Sequence, residues 1–376
     1  MKIMQLLPAL NAGGVERGTL DLARALARAG HQSTVVSSGG AMVTQLESEG
    51  SQHFTLPIHK KSFISLLQVR PLRHLISKEQ PDILHVRSRV PAWLAYLAWR
   101  KLDAIGRPHL ISTAHGLYSI NPYSAIMAKA ERVIAISECV STYLLDNYAS
   151  YLQHRPEIIY RGVDTDEFNP GVQAPAGWRN DIEAAFPNLR GKRWLLLPGR
   201  LSRWKGQEDF IQLILRLSRT RNDIHGIILG SAEPNKQRYA KELKQAVTDL
   251  HLDQHLTFVG HRSDIRYWYS ESALVYNLSK RPEPFGRTVI ESAAIGTPII
   301  GYNIGGPAES LGACFPQGLV DQNDTEVLFT RTQELLEGPR QRARLAVQFT
   351  LQRQVERTLA VYRSLLNISP GDHSGD

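Results

Sequence analysis

The chain runs twice through the same order of elements: an apolar strand, a glycine-containing loop and an amphipathic helix. The first run covers residues 2–29 and the second covers residues 194–219. Further strand candidates alternate with helical stretches in both halves, and such alternation is typical of a parallel sheet covered by helices. We therefore predict an α/β protein built from two Rossmann-like domains.

The length and one irregular segment suggest where the domains divide. A chain of 376 residues exceeds what one hydrophobic core usually supports. Residues 169–187 contain three prolines and two glycines, so we interpret this segment as part of a linker. The predicted segments are an N-terminal domain 1–168, a linker 169–190, a C-terminal domain 191–345, a final helix 346–368 and a polar tail 369–376.

The composition excludes several classes of protein. Apolar residues make up 42% of the chain and charged residues 21%, which excludes disordered and fibrous proteins. The two cysteines, Cys139 and Cys314, lack metal-ligand spacing, so neither a disulfide framework nor a zinc finger organises the fold. The longest uncharged apolar run, residues 90–99, is shorter than the about 18 residues of a membrane span, and the N-terminus lacks the pattern of a signal peptide. We expect a cytoplasmic chain.

The positive charge is concentrated in one stretch. The chain has a net charge of +8, and residues 50–130 contain eleven Lys or Arg residues against three acids, which accounts for the whole excess. Trp93, Tyr96 and Trp99 are interleaved with these cations. Such a surface suits an anionic membrane leaflet, a phosphate-rich ligand or a nucleic acid, and the pattern also fits a solvated basic face over core helices. The clustering favours a binding surface.

The loop 198–206 lies between a predicted strand and a predicted helix of the second half. It contains Arg200 and Lys205 together with two glycines. Open α/β sheets bind ligands outside the carboxyl ends of their strands, and fixed cations stabilise the charge that develops on a departing diphosphate. Two solvated cations on a loop are the alternative, but the strand-end position favours phosphate binding.

A pair of carboxylates marks a second candidate segment. Glu283 lies in a loop and Glu291 lies in the helix that follows it. The two carboxylates can accept hydrogen bonds from separate hydroxyl groups, such as those of a sugar and a ribose, and amides at the helix start can hold phosphate oxygens. Alternatively, Glu291 only complements the helix dipole and Glu283 is a turn residue.

Two strand-end loops of the first half are weaker candidates. Gly14 follows the first strand in a Gly-Gly pair that allows close approach to a ligand, but the spacing departs from the dinucleotide fingerprint and a tight turn fits equally well. His115 can hydrogen-bond a substrate hydroxyl, although an isolated histidine is more often structural.

Asp164 and Asp166 form a D-x-D pattern, which we interpret as structural because no predicted strand delivers it to a crevice.

With these segments, the sequence resembles the GT-B glycosyltransferases of family 4 over nearly its whole length. The most specific similarity is EPFGRTVIE, which matches the family's E-x7-E motif from Glu283 to Glu291. Residues 87–93 and 115–119 are similar to bacterial lipopolysaccharide-core members. The other matching segments are Pro198-Gly199-Arg200, Lys205-Gly206, His115-Gly116, Gly162-Val163-Asp164 and the loop from Asn303 to Glu309.

The resemblance implies a retaining sugar transfer without a cofactor or an essential metal. Two domains would face a central cleft, the N-terminal domain binding the acceptor and the C-terminal domain the nucleotide-sugar donor. The final helix would cross back to the N-terminal domain. We expect a UDP-sugar as donor, ahead of GDP- and ADP-sugars, and a lipid-linked or lipopolysaccharide-core saccharide as acceptor.

The resemblance also implies roles for the site residues. Arg200 and Lys205 would stabilise the departing diphosphate, Glu283 would contact hydroxyls of the donor sugar, and His115 would lie near the transferred sugar. The residues that would bind the donor are Glu291 at the ribose, the amides of Phe285, Gly286 and Arg287 at the phosphates, and Gly14 from the other domain. The family has no settled covalent nucleophile, so we do not assign Glu283 as one.

Two other functions are compatible with parts of the sequence. A nucleotide-sugar epimerase could use a similar two-domain fold. A nucleic-acid-binding protein would use the basic stretch, but no recognition module is visible and this function ranks lowest. The basic stretch 50–130 instead predicts peripheral association with the anionic inner leaflet of the plasma membrane.

Overall fold

A computed structural model describes residues 1–11, 13–233 and 237–367. The chain divides into two compact units, the first comprising Met1–Arg161 with Leu351–Asp376 and the second comprising Gly162–Thr350. None of the helices within the described ranges is long and apolar enough to cross a bilayer. The predicted polar tail, residues 369–376, lies outside the described residues.

The first unit is built on a parallel sheet. Its strands are β1 Lys2–Leu6, β2 Gln32–Ser37, β3 Gln52–Thr55, β4 Ile83–Val86, β5 His109–Ala114, β6 Arg132–Ala135 and β7 Glu157–Ile158. Its helices before the second unit are α1 Gly14–Arg28, α2 Val43–Ser48, α3 Val69–Glu79, α4 Arg89–Trp99 and α5 Glu138–Tyr148. The strand order in the described residues is β3-β2-β1-β4-β5-β6-β7, with every neighbouring pair parallel.

The second unit repeats this architecture. Its strands are β8 Arg193–Pro198, β9 Ile224–Leu229, β10 Leu256–Gly260, β11 Ser272–Asn277, β12 Ile299–Tyr302 and β13 Leu319–Val320. Its helices are α6 Trp178–Ala185, α7 Gln207–Ser218, α8 Gln237–Asp249, α9 Ile265–Glu271, α10 Arg287–Ile295, α11 Gly305–Cys314 and α12 Thr325–Glu337. The parallel strands follow the order β10-β9-β8-β11-β12-β13. The prediction of two Rossmann-like domains is confirmed.

The final helix, α13 Leu351–Leu365, belongs to the first unit. Leu359 and Tyr362 pack into the core cluster that also holds Ile3 of β1 and Leu22 of α1. Because a helix with one apolar stripe must bury that stripe against another element, α13 covers the sheet of this unit. The predicted return of the last helix to the N-terminal domain is confirmed.

The segment predicted to be a linker is partly helical. Residues 169–190 contain α6, and its first residue, Trp178, packs against Trp194 and Trp268 with ring centroids 6.2 and 5.3 Å apart. The indole Nε1 of Trp178 donates a hydrogen bond of 2.7 Å to Asp264. These contacts place the segment in the second unit, so the chain divides at Arg161 and Gly162 rather than at residue 168.

Each sheet reverses its strand order at one place. In the first unit the reversal lies between β1 and β4, and in the second it lies between β8 and β11. At such a switch point the loops leaving the two strands run in opposite directions and open a crevice, which is where open α/β sheets bind their ligands. In the second unit the loop 198–206 follows β8 and the segment 278–286 follows β11. Both candidate motifs of this unit therefore lie at its switch point.

Candidate active site

The end of the loop after β8 packs closely on the segment after β11. Gly206 caps the N-terminus of α7 with φ of 75°, and a Cβ atom at this position would overlap the carbonyl oxygen of Leu278. The Lys280 amide donates a 2.7 Å hydrogen bond to the Trp204 carbonyl oxygen. Glycine at position 206 therefore lets the two loops meet.

This packing brings Lys205 to Glu283. Lys205 Nζ lies 2.7 Å from Glu283 Oε2, and their side chains are 17% and 11% exposed. Ser279 donates a hydrogen bond to the other carboxylate oxygen, Oε1. Opposite charges that are this close and this shielded from water hold each other in one geometry. Ser279 was not identified from the sequence, although its position two residues after β11 was available as a signal.

Arg200 occupies a different environment on the same loop. Its side chain is 63% exposed and its guanidinium lies 2.5 Å from Glu233 Oε1. An ion pair between exposed side chains contributes little to stability, so its members can exchange partners at low cost. The structure thus places both predicted cations at the switch point, one held by a buried carboxylate and the other at the surface.

Glu291 is held inside the second unit by two other side chains. The Arg287 guanidinium donates to Glu291 Oε1 through Nε and Nη2 at 2.9 and 2.6 Å. The Tyr269 hydroxyl donates to Oε2 at 3.1 Å. Burial, and secondarily the negative charge of Glu291, raise the pKa of Tyr269 well above its usual range, so Tyr269 remains a neutral donor. These three hydrogen bonds fix the orientation of the carboxylate, whose oxygens have lone pairs that can accept further hydrogen bonds.

Two helices begin next to Glu283. The helix α10 starts at Arg287, directly after Phe285 and Gly286, and α11 starts at Gly305. A Cβ atom at Gly305, whose φ is 64°, would lie 2.8 Å from the Glu283 nitrogen. The Gly306 amide donates a 2.9 Å hydrogen bond to the Glu283 carbonyl oxygen. The positive ends of both helix dipoles therefore lie at this loop, which suits an anionic ligand.

In the first unit, Gly14 and His115 share a neighbour. Gly14 is the first residue of α1, and a Cβ atom there would lie 2.8 Å from Arg161 Nη1. His115 Nδ1 lies 3.3 Å from Arg161 Nη2. Because a guanidinium only donates hydrogen bonds, Nδ1 is the acceptor and the proton of the neutral ring is on Nε2. The structure thus brings together two predicted residues and one, Arg161, that was not identified.

His115 is set up as a neutral donor. Burial, followed by the positive charges of Arg161 and Arg87, holds the pKa of His115 well below its usual range. Its Nε2 is buried and has no hydrogen-bond partner among the described residues. An N–H group in this position can donate to a hydroxyl or phosphate oxygen of a ligand.

Arg87 departs from the interpretation of residues 50–130 as one basic surface. It is 3% exposed, and its Nη1 donates a 2.7 Å hydrogen bond to Gln5 of β1. Burial lowers the pKa of this guanidinium to about 10. Beside it, His85 bonds Tyr362 of α13 and Thr113 of β5 at 2.6 and 2.7 Å. This buried network supports the carboxyl ends of the central strands and is not available as surface charge.

The D-x-D segment forms a turn. The Asp166 amide donates a 3.0 Å hydrogen bond to Asp164 Oδ1, and the Phe168 amide donates to the Asp164 carbonyl oxygen at 2.9 Å. Within the described residues, three or more His, Cys, Asp or Glu side chains nowhere gather as they would around a metal ion.

The fold and the placement of these motifs define a GT-B glycosyltransferase. Residues 12–167 match the family model described as Glycosyltransferase Family 4, and residues 179–348 match the model described as Glycosyl transferases group 1. The two matches together cover most of the chain. The protein belongs to family 4 of the GT-B glycosyltransferases.

Individual relatives agree with this assignment. The lipopolysaccharide core biosynthesis mannosyltransferase LpsB of Rhizobium meliloti (strain 1021) is 26% identical over 228 residues, which are 58% of this chain and 63% of that relative. The alignment therefore spans less than two thirds of the relative's length. A crystal structure of a glycosyltransferase from Rickettsia africae ESF-5 is 27% identical, with a TM-score of 0.83 and coverage of 98% of this chain and 99% of that one.

A further solved structure is similar in fold. Anabaena HepE in complex with UDP-glucose is 22% identical, with a TM-score of 0.72, and the match covers 97% of this chain and 95% of that one. At this level of identity the similarity concerns the architecture.

Proposed function

We propose that the protein transfers a sugar from a nucleotide-sugar donor to a saccharide acceptor with retention of the anomeric configuration. The observation that carries the proposal is the Lys205–Glu283 pair, 2.7 Å apart, at the switch point of the second sheet and beside two helix N-termini. A cation, a carboxylate and converging amides suit a ligand that has both a diphosphate and hydroxyl groups. Membership of family 4 supports the same reaction.

The second unit would bind the donor. Lys205 and Arg200 would hold the diphosphate together with the amides of Phe285, Gly286 and Arg287 at the start of α10. Glu291 would accept hydrogen bonds from the ribose, since Arg287 and Tyr269 orient its carboxylate. Glu283 would accept hydrogen bonds from the donor sugar.

The proposed reaction is a front-face displacement. The bond between the sugar C1 and the diphosphate oxygen breaks, the acceptor hydroxyl oxygen bonds C1 on the same face, and the hydroxyl proton passes to the departing phosphate oxygen. Charge develops on that oxygen in the transition state, where Lys205, Arg200 and the helix N-termini stabilise it. Because these groups supply positive charge, we propose transfer without a metal ion. Glu283 forms no covalent intermediate in this scheme.

The first unit would contribute a hydrogen-bond donor and a backbone approach. His115 would donate from Nε2 to a substrate hydroxyl, since its ring is neutral and its Nδ1 is engaged by Arg161. Gly14, at the N-terminus of α1, would approach a phosphate oxygen.

We further propose a UDP-sugar as donor and a lipid-linked or lipopolysaccharide-core saccharide as acceptor. The UDP-glucose bound by Anabaena HepE is compatible with the first choice, and the name of the rhizobial relative LpsB suggests the second. Residues 50–130 would place the protein peripherally on the anionic inner leaflet of the plasma membrane, because most of their cations remain at the surface. No nucleic acid takes part in this function.

A binding panel and one variant pair test the proposal. Thermal unfolding is followed with UDP-, GDP- and ADP-sugars, and the donor should raise the melting temperature because it binds only the native state. Lys205→Met should lower transfer by about 100-fold or more, whereas Lys241→Met, on the exposed face of α8, should leave it unchanged. Near wild-type turnover of Lys205→Met would contradict the assigned role, and an epimerised sugar formed from donor alone would contradict transfer.

A further inference from the structure

The first unit contains an apolar cavity that the proposed reaction does not use. It has a volume of about 350 Å³ and lies between the 3-10 turn Phe63–Gln68 and α4. This volume is within the range of about 300–1,000 Å³ that is typical of small-molecule sites. Its apolar and aromatic lining residues are Leu66, Val90, Trp93, Leu94, Leu97 and Tyr123.

The turn at the edge of this cavity exposes large aliphatic side chains. Ile64 is 73% exposed and Leu67 is 70% exposed. The turn itself is held in place, because Ser65 Oγ donates a 2.6 Å hydrogen bond to the Lys60 carbonyl oxygen and the Ser65 amide bonds Ser62 Oγ. Large exposed aliphatic side chains beside an apolar cavity are typical of a surface that meets an apolar partner.

Cations surround the aromatic wall of the cavity. Lys61 Nζ lies 4.3 Å from the centroid of the Tyr123 ring, and Lys129 Nζ lies 5.6 Å from that of Trp93. The Arg89 guanidinium lies 5.6 Å from Tyr123. In the described part of the chain, none of these three cations has a carboxylate within ion-pair distance. An anionic group next to the cavity would therefore find positive charge that nothing else neutralises.

We propose that this cavity takes one hydrocarbon chain of an anionic lipid. The lipid phosphate would lie among Lys61, Arg89 and Lys129, while Ile64 and Leu67 would insert between neighbouring acyl chains. The role of this lipid as the carrier of the saccharide acceptor rests on the proposed function. The chain-binding site itself rests on the cavity and its charges.

The chemistry of the cavity favours a lipid over other occupants. A peptide strand needs partners for its backbone amides, and the wall formed by α4 offers aliphatic and aromatic side chains instead. A second copy would bring the same cations against Lys61 and Arg89, and like charges at an interface oppose association. An acyl chain with an anionic head matches both the apolar wall and the charge.

The test uses the full chain and vesicles of stated composition. Vesicles of phosphatidylglycerol with dibrominated acyl chains should quench part of the tryptophan fluorescence, and Trp93→Phe should remove that part while sedimentation with the vesicles persists. Leu66→Glu should weaken binding to the same vesicles about tenfold or more, because it places a carboxylate in the wall of the cavity. The matched control is Val347→Glu, since Val347 is 71% exposed in the second unit, and it should bind as the wild type does.

Several results would overturn the inference. One is equal vesicle binding by Leu66→Glu and Val347→Glu; another is salt-sensitive binding in which bromine does not quench Trp93. A dimer in sedimentation velocity that Leu66→Glu dissociates would assign the cavity to a second copy. The thermal shift caused by UDP should be unchanged in Leu66→Glu, which separates this site from donor binding. Failure to transfer sugar would leave the quenching result intact and would contradict only the proposed function.

Discussion

At the scale of single residues, the proposed donor site contains charged side chains that neutralise each other. Lys205 and Glu283 are both largely buried, and Ser279 occupies the second carboxylate oxygen. Glu291 is held in the same way by Arg287 and Tyr269. Removing one partner of such a pair leaves the other as an uncompensated charge with little access to water. The resulting loss in the free energy of unfolding is larger than the stabilisation that the intact pair provides.

The first prediction concerns Glu283→Gln. The amide keeps the shape of the side chain but leaves Lys205 without its counter-charge, so the free energy of unfolding should fall by about 3 kcal/mol. UDP should raise the melting temperature more than in the wild type, because its diphosphate replaces the missing charge. Urea unfolding and thermal shift with UDP measure the two effects.

The control for this variant is Glu326→Gln. Glu326 is 77% exposed and pairs with Arg216 at 2.8 Å, so its loss should change stability by about 1 kcal/mol or less. Equal destabilisation by both variants, together with equal UDP shifts, would contradict the role of the buried pair.

At the scale of elements, the site is formed where loops leave parallel strands. The loop after β8 reaches Glu283 only because Gly206 allows it to lie against the end of β11. The helices α10 and α11 begin beside the same carboxylate because Gly305 and Gly306 fit against its backbone. The sequence alone showed that these loops follow strands and contain glycines. It did not show which residues each glycine contacts, because those residues are distant along the chain.

The second prediction compares two glycines with the same backbone strain. Gly206 and Gly191 have φ of 75° and 69°, but a Cβ at Gly206 would overlap Leu278 and one at Gly191 would meet nothing within 4 Å. Gly191→Ala should cost about 1 kcal/mol of stability through φ alone. Gly206→Ala should cost more and should weaken UDP binding at least tenfold, because Lys205 moves with the loop; isothermal titration measures the affinity. Equal effects of both changes would contradict the packing argument.

At the scale of the whole molecule, buried histidines determine how stability responds to acid. Burial is the main cause that holds the pKa of His85 and of His115 well below the usual value. It also lowers the pKa of His225 in β9 to about 4. At a pH between the histidine pKa values of the folded state and of the unfolded state, the unfolded chain binds more protons than the folded one. The free energy of unfolding therefore rises with pH in this window and falls as the pH drops below about 6.5.

The third prediction follows from His225. Because the pKa of His225 is lowered in the folded state, the free energy of unfolding should fall by about 2 kcal/mol when the pH is lowered from 7 to 5. His225→Gln should remove that part of the pH dependence, while His261→Gln, at an exposed position, should retain it. Equilibrium urea unfolding at the two pH values provides the measurement, and an unchanged slope in His225→Gln would contradict the assignment.

Local patterns in the amino-acid order were sufficient for the two parallel-sheet domains and for the loops that carry Arg200, Lys205, Glu283 and His115. Helix and strand periodicity act over a few residues, and strand-end loops follow directly from them. Folding alone established which distant residues meet: Lys205 and Glu283 are 78 residues apart, and His85 and Tyr362 are 277 apart. It also buried Arg87 and drew the supposed linker into the second unit, because burial depends on packing partners that no local pattern specifies.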